Sequence, residues 1–348
     1  MLDLANALVA RGHDVHAALR PRSPLVPQLQ LPSDNILMLP LRNALDASSA
    51  RQLSSYVRRH RIEIIHAHMG RDYPIAAFAR SSGSKLIVTR HVLFPLNRLH
   101  SITLGRAARV IAVSHAVKDR LMAQRLVNPE RIVVIHNGID TSKFLHADIQ
   151  KRSELRRALN VPEDGILIGT VGEITPLKGH ADFVRAAALV TKELSNCHFV
   201  IAGMDSSTTG EHLKSLQQEI ANNGVEGIVS VRGWIEDLPS FYAALDVFVS
   251  ASHSESFGLA IAEAMVSGKP VIATATDGAR EIIEDEANGL LVPVADVQAI
   301  SRSMIDLINH KELRASLGHS GRDRVQQNFS LEQMVDGSEE LYQQALAD

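Results

Sequence analysis

The chain has 348 residues, with 36 Lys and Arg against 39 Asp and Glu and a formal net charge of −3. That length is enough for two domains of ordinary size, and 45% hydrophobic with 22% charged residues is the composition of a globular protein, which excludes a disordered or fibrous chain. Cys197 is the only cysteine, so an intrachain disulfide and a cysteine metal site are excluded. No apolar run reaches the roughly 18 residues of a membrane span. Asp3, Arg11, His13 and Asp14 interrupt the start, which argues against a secretory leader. A cytoplasmic, reducing location is expected. The charge is uneven. Residues 1–145 carry 20 Lys and Arg against 9 Asp and Glu, a net of +11, and residues 146–348 carry 16 against 30, a net of −14. A basic first half suggests an anionic partner, such as an acidic membrane face met peripherally or a phosphorylated acceptor, or else only a solvated surface. Nucleic acid is not expected, because aromatics are only 4% and do not interleave with the basic residues.

In chain order, Met1, Leu4, Ala5, Leu8 and Val9 give a helical apolar face that Arg11-Gly12-His13 stops. Asp14 to Leu19 then reads as a strand. A doubly wound domain usually places a strand and a Gly-rich turn before its first helix, and here neither precedes it. Ile36 to Leu39 is a short strand, and Arg51 to His60 is an amphipathic helix. Ile62 to His68 reads as a strand, Pro74 to Arg80 as a helix, and Leu86 to Thr89 as a strand running into Arg90-His91. Val110 to Val113 is a strand followed by Ser114 as a helix cap. Ile132 to Ile135 is a strand that ends in His136-Asn137-Gly138. Such alternation implies a parallel sheet with helices on both faces, and ligands then bind beyond the carboxyl ends of the strands. His68, His91, Ser114 and Asn137 stand at those ends. His66 and His68 share a strand face, but no third ligand has useful spacing, so a metal site is not expected there.

Residues 146–164 are polar and read as a linker. A second α/β unit begins with the strand Ile166 to Val171 and the turn Gly172 to Gly179, in which Lys178 precedes a helix start and suits a diphosphate. Strands follow at His198 to Ala202 and Ile228 to Val231, the second ending in Arg232-Gly233-Trp234, with a short helix near Pro239 to Leu245. Helices are expected over Asp296 to His310 and Glu312 to Gln327. A last helix opens on the capping box Ser330-x-x-Gln333.

The most informative stretch is Glu255-Ser256-Phe257-Gly258-Leu259-Ala260-Ile261-Ala262-Glu263-Ala264-Met265. The run Val247 to Val249 before it reads as a buried strand, and Leu259 to Val266 reads as a helix that Gly268 ends. Ser254 or Ser256 is expected to cap that helix. Gly258 lets a ligand approach the helix start, where N–H groups and the dipole favour an anion. One carboxylate before the helix and one within it can bracket a phosphate and its sugar.

This segment resembles the Glu-x7-Glu signature of retaining glycosyltransferases of family four, in the GT-B group. The likeness runs from Asp246 through Glu255, Phe257, Gly258, Glu263, Ala264, Met265, Gly268, Pro270 and Val271 to Gly278 and Glu281. Thr89-Arg90-His91 and Asn137-Gly138-Ile139-Asp140 resemble further family positions. Relative to the family pattern, roughly 15–20 residues before Met1 are lacking, about one strand and a turn. Glu173 stands where the family usually carries Arg, so either it points away from a diphosphate or another cation, for which Arg280 is the candidate, substitutes.

The resemblance implies an α/β GT-B fold: two facing Rossmann-like doubly wound domains with an interdomain cleft. The expected domains are 1–145, N-terminally short and on the acceptor side, and 165–328, which binds the nucleotide sugar, with 329–348 a helix crossing back to the first. It implies retaining, metal-independent hexosyl transfer from a UDP- or GDP-linked donor, which is a substrate, with no cofactor. The implied acceptor is a glycan or lipid-linked molecule, as in lipopolysaccharide or polysaccharide biosynthesis. Lys178, Glu255 and His91 are the implied catalytic residues. Glu263, Gly258, Leu259, Phe257, Gly172, Trp234 and Arg280 are implied for the donor, and Asn137, Gly138 and Ser114 shape the cleft. Two other readings stay open: a 2-epimerase-like GT-B enzyme and a non-catalytic nucleotide-sugar-binding protein. A dinucleotide oxidoreductase is disfavoured, since no Gly-x-Gly-x-x-Gly follows any strand.

Overall fold

Among the described residues, runs of aliphatic residues between polar turns become twelve short parallel strands, and the amphipathic runs between them become helices. The structure, a computed structural model, describes residues 1–81, 83–97, 100–145 and 148–348. It divides into two units: Met1–Gly138 with Leu331–Asp348, and Ile139–Ser330.

Unit 1 contains α1 (Leu2–Ala10), β1 (Ala17–Leu19), β2 (Ile36–Met38), α2 (Ala47–Arg59), β3 (Ile64–Ala67), α3 (Tyr73–Ala79), β4 (Lys85–Arg90), α4 (His100–Leu104), β5 (Arg109–Ala112), α5 (His115–Gln124) and β6 (Ile132–Val134). Its strands form two sheets rather than one: β1 pairs with β2, and a separate sheet runs β3-β4-β5-β6, all parallel. Leu86, Ile87 and Val88 of β4 are fully buried, as expected for a central parallel strand covered on both faces.

Unit 2 contains α6 (Thr141–Leu145), α7 (Ile149–Ala158), β7 (Ile166–Val171), α8 (His180–Glu193), β8 (Cys197–Ala202), α9 (Glu211–Asn222), β9 (Val229–Arg232), α10 (Leu238–Ala244), β10 (Val247–Ser250), α11 (Leu259–Val266), β11 (Val271–Thr274), α12 (Asp277–Ile282), β12 (Leu290–Val292), α13 (Val297–Asn309) and α14 (Lys311–Asn328). The last helix, α15 (Leu331–Ala347), belongs to unit 1. There Leu341 and Ala345 pack with Ile87 and Ile111, and Val335 packs with Leu4 and Leu8.

The six parallel strands of unit 2 run in the order β12-β11-β10-β7-β8-β9. Counted within the unit, that is the 3-2-1-4-5-6 order of a Rossmann sheet, with the direction of winding reversing between β7 and β10. Side chains alternate across β10. Val247 and Val249 join the core with Phe183 of α8 and Ile300 of α13, and Phe248 turns to the other face, its ring 5.6 Å from that of Tyr242 on α10.

Two boundaries differ from the sequence reading. The division falls after Gly138 rather than near residue 145. Residues 146 and 147 of the expected linker lie outside the described residues, and its remainder is not a bare connection. It holds α7, capped by the Asp148 side chain and anchored by Arg156, which donates to Ala244 O at 3.0 Å, Asp246 Oδ2 at 2.9 Å and Gly165 O at 2.5 Å. Among the described residues, no helix is long and apolar enough to cross a membrane.

Candidate active site

The loops after β7 and β10 part at the reversal point of the unit 2 sheet, which is where open α/β sheets bind ligands. The first loop carries Gly172 and Lys178, the second Glu255 and Gly258. Backbone pairing joins them, because His253 N donates to Leu177 O at 2.8 Å. A side-chain tie lies beside it: His253 Nε2 is 2.6 Å from Asp182 Oδ2 in the first turn of α8, and Asp182 also accepts from Arg185 at 3.2 Å.

That stitching sets the central pair. Lys178 Nζ lies 2.5 Å from Glu255 Oε1, and Ser252 Oγ donates to the same oxygen at 2.9 Å. The Lys178 side chain passes over Gly172, where an added Cβ would lie 3.3 Å from its Cδ. Gly278 N donates to Glu255 O at 3.0 Å, which fixes the backbone of the second loop. The pair is partly open to solvent, with side-chain exposures of 29% for Lys178 and 14% for Glu255. A phosphate arriving here would compete with Glu255 for the ammonium.

Gly258 is the cap position of α11, with φ +105°, a conformation that disfavours any side chain. The cap position falls on Gly258, which has no side chain to bond the first turn, rather than on Ser254 or Ser256 as expected. The first-turn N–H groups, beginning at half-exposed Leu259, have the dipole and donors that suit an anion. One turn on, Glu263 Oε2 accepts from Tyr242 Oη at 2.8 Å. Tyr242 is fully buried, and that burial, with the Glu263 charge, holds its hydroxyl well above the usual phenol range. The hydroxyl is therefore a permanent donor.

The other candidates in unit 2 fall less close to this pair. The Phe257 side chain is 1% exposed and its ring lies 5.6 Å from that of Phe329, so only its backbone can meet a ligand. Trp234 is 74% exposed after β9. Arg280 is spent partly on the chain itself, with Nε donating to Ala275 O at 3.1 Å. The Glu173 carboxylate meets the hydroxyl of Ser206, beyond the end of β8.

In unit 1, His91 follows β4 and its Nε2 lies 3.2 Å from Nδ1 of His68, which follows β3. Burial pushes His91 down to about 4 and His66 to about 3, so both are neutral at pH 7. The two nitrogens of His66 are engaged by Tyr342 Oη and Thr89 Oγ1, each at 2.6 Å, which accounts for this histidine without a metal. Ser114 is buried and caps α5 by accepting from Val117 N at 3.2 Å. Gly138 N donates to the Met334 sulfur at 3.2 Å, and Asn137 precedes it in the loop after β6.

Sequence reasoning missed Tyr242, Ser252, His253 and Asp182. A hydroxyl inside the apolar run Phe241 to Ala244 gives no sign of the carboxylate it will meet.

Comparison with known proteins bears on the class. Residues 151–324 match the sequence model of the family described as glycosyl transferases group 1, and residues 1–143 match that of glycosyltransferase family 4. A D-inositol 3-phosphate glycosyltransferase of Salinispora arenicola is 30% identical over 82% of this chain and 69% of its own. A glycosyltransferase structure from Rickettsia africae superposes with a TM-score of 0.87 at 22% identity, covering 99% of this chain and 93% of that one. The Anabaena protein HepE in complex with UDP and glucose has a TM-score of 0.83 at 22% identity, covering 97% and 93%. The fold is thus that of a GT-B glycosyltransferase. The chain belongs to glycosyltransferase family 4, with its second half the group 1 domain.

Proposed function

We propose that this chain transfers a hexosyl unit from a UDP- or GDP-linked donor to a glycan or lipid-linked acceptor, with retention at the anomeric carbon. The observation that carries the reading is the Lys178–Glu255 pair beside the N-terminus of α11, whose cap position is Gly258, at the sheet reversal of unit 2. In this reading Glu263 takes the donor ribose, and Glu255 contacts the sugar. Lys178 and the N–H groups of Gly258 and Leu259 hold the diphosphate. As the bond from the anomeric carbon to the diphosphate breaks, negative charge grows on the leaving group, and these preorganised donors stabilise it most. The acceptor oxygen bonds to the same face of the sugar and its hydroxyl proton is released; no base is assigned to it. By the family resemblance, His91, kept uncharged by burial, is the third catalytic residue of this reading. Lys178 and the helix supply the positive charge, so turnover is expected to survive EDTA.

An anionic acceptor or membrane surface fits the net +11 of residues 1–145. Binding of the chain to anionic vesicles that salt leaves unchanged would remove that part of the reading. A second reading, donor binding without transfer, rests on Glu173 at the family's arginine position.

The test is calorimetric titration of the full chain with UDP, GDP and their hexose conjugates, repeated with Glu263→Ala and Lys178→Ala. Binding of one nucleotide series, weakened about tenfold or more in both variants, is expected. Product anomers from a trial with acceptor, read by NMR, check retention. No binding by folded protein would sink the donor assignment.

A further inference from the structure

We infer that Tyr242 sets the preference of this site for ribonucleotides, by holding the Glu263 carboxylate in place for the ribose diol. The inference rests on the donor reading above, and it assigns a positioning role to a residue that touches no substrate itself. Tyr242 sits in α10, on the opposite face of β10 from α8 and α13. Its ring is clamped at 6.0 Å from Phe144, 6.0 Å from Phe241 and 5.6 Å from Phe248. A ring packed on three sides cannot swing, so its hydroxyl occupies one point in space. That point is 2.8 Å from Glu263 Oε2.

Glutamate has three rotatable bonds and, on an exposed helix, samples many rotamers. Here a fully buried donor selects among them. Burial also keeps the phenol protonated, so the bond always runs from the hydroxyl to the carboxylate. An ionised carboxylate has about four lone-pair positions, so the bond from Tyr242 occupies one of them and fixes the direction in which the others face. A diol needs both oxygens correctly oriented at once, whereas a sugar with one hydroxyl tolerates a looser carboxylate. Orientation of Glu263 is therefore what separates a ribonucleotide from its 2′-deoxy counterpart.

The experiment compares binding of UDP and GDP with that of 2′-deoxy-UDP and 2′-deoxy-GDP, using the full chain, Tyr242→Phe and Glu263→Asp. Phenylalanine keeps the ring packing and deletes only the hydroxyl. Aspartate keeps the charge but is one methylene too short to reach Tyr242. The wild-type chain is expected to favour the ribonucleotide on the order of tenfold, the worth of one hydrogen bond to a charged group. Both variants are expected to bring that ratio down to about twofold; Tyr242→Phe keeps affinity for the deoxy ligand within about twofold of wild type, whereas Glu263→Asp lowers affinity for both ligands. A purely structural role would weaken both ligands equally and leave the ratio unchanged, and that result overturns the inference. Should Tyr242→Phe fail to fold, retention of the wild-type ratio by Glu263→Asp overturns it alone. A wild-type chain that binds neither nucleotide defeats the donor reading itself, which is a separate outcome from one that binds both but does not distinguish them.

Discussion

Gly179 joins the loop that carries Lys178 to the first turn of α8, and its neighbourhood leaves no room for a side chain. Its φ is +63°, and a Cβ there would lie 1.9 Å from the carbonyl oxygen of Ala251. Ala251 opens the loop that leads to Glu255, so this close approach of two backbones is what brings the ammonium and the carboxylate together. Gly210 has nearly the same backbone, φ +64°, at the start of α9, but nothing lies within 4 Å of its Cβ position. Comparison of the two separates the torsional cost from the cost of approach. Gly210→Ala is expected to lower stability by about 1 kcal/mol, the penalty of the left-handed region alone. Gly179→Ala is expected to cost about 4 kcal/mol or more, among the large effects that only severe overpacking or burial produces, and to weaken nucleotide binding as the two loops separate. Urea unfolding of both variants checks this. Equal losses would show that the loops yield easily and that the Lys178–Glu255 distance is not set by this contact.

Among elements, α15 shows how a distant part of the chain completes a unit. It follows unit 2 in sequence yet lies in unit 1, where Arg11 at the end of α1 reaches Asp336 at 2.6 Å and Glu339 at 2.5 Å. Its apolar face does the structural work: Leu341 is buried against Ile87 and Ile111 of the central strands. Leu341→Ala is expected to destabilise unit 1 by about 2–5 kcal/mol, the range for a buried leucine truncated in a packed core, with nucleotide binding by unit 2 retained. A lowered urea midpoint with unchanged nucleotide affinity is the signature, and loss of both would mean that the units do not unfold separately. This helix was legible in the sequence because Leu331, Val335, Leu341 and Ala345 repeat at helical spacing. So were the strands β4, β7, β8, β10 and β11, whose aliphatic runs have glycine, proline or polar residues at their ends. Lys178 was legible from its place just before a helix start, and Glu255 and Glu263 through the spacing of the Glu-x7-Glu motif. Helix α7 was not, because half of its ten residues, Ile149 to Ala158, are charged and its order comes from Arg156 bonding to Asp246 and to two carbonyls. β12 was missed because three residues show no period, and the bond between Tyr242 and Glu263 because it joins side chains 21 positions apart.

For the whole molecule, the distribution of buried histidines predicts which unit gives way first in acid. His66, His68 and His91 lie in unit 1, and burial holds all three below the ordinary value of 6.5, His66 at about 3 and His91 at about 4. Unit 2 has His180, held at about 4 by burial, and His198, lowered by partial burial. The unfolded chain takes up protons near pH 6.5, whereas the folded chain refuses them until lower pH, near 4 at His91 and His180 and near 3 at His66. Between those values the unfolded state binds more protons, so stability falls as the pH falls, by up to about 1.4 kcal/mol per pH unit for each such group. Carboxylates do not explain a loss in this window. Asp46 and Asp205 are held down to about 2 by hydrogen bonds, and what they contribute is present above their ordinary 3.8 and is lost only below it. Three of the histidines crowd the carboxyl ends of β3 and β4, so acid acts on unit 1 with the greater slope. Hydrogen-exchange protection factors, corrected for intrinsic rates, should fall between pH 7.5 and 5 more steeply for Leu86 to Val88 in β4 than for Phe248 and Val249 in β10. His66→Gln, which removes one titrating group and can still bond Tyr342 and Thr89, should flatten the slope in β4 and leave β10 unchanged. Equal slopes in the two strands would instead mean that the units unfold as one body, or that these histidines are not the groups that acid reaches first.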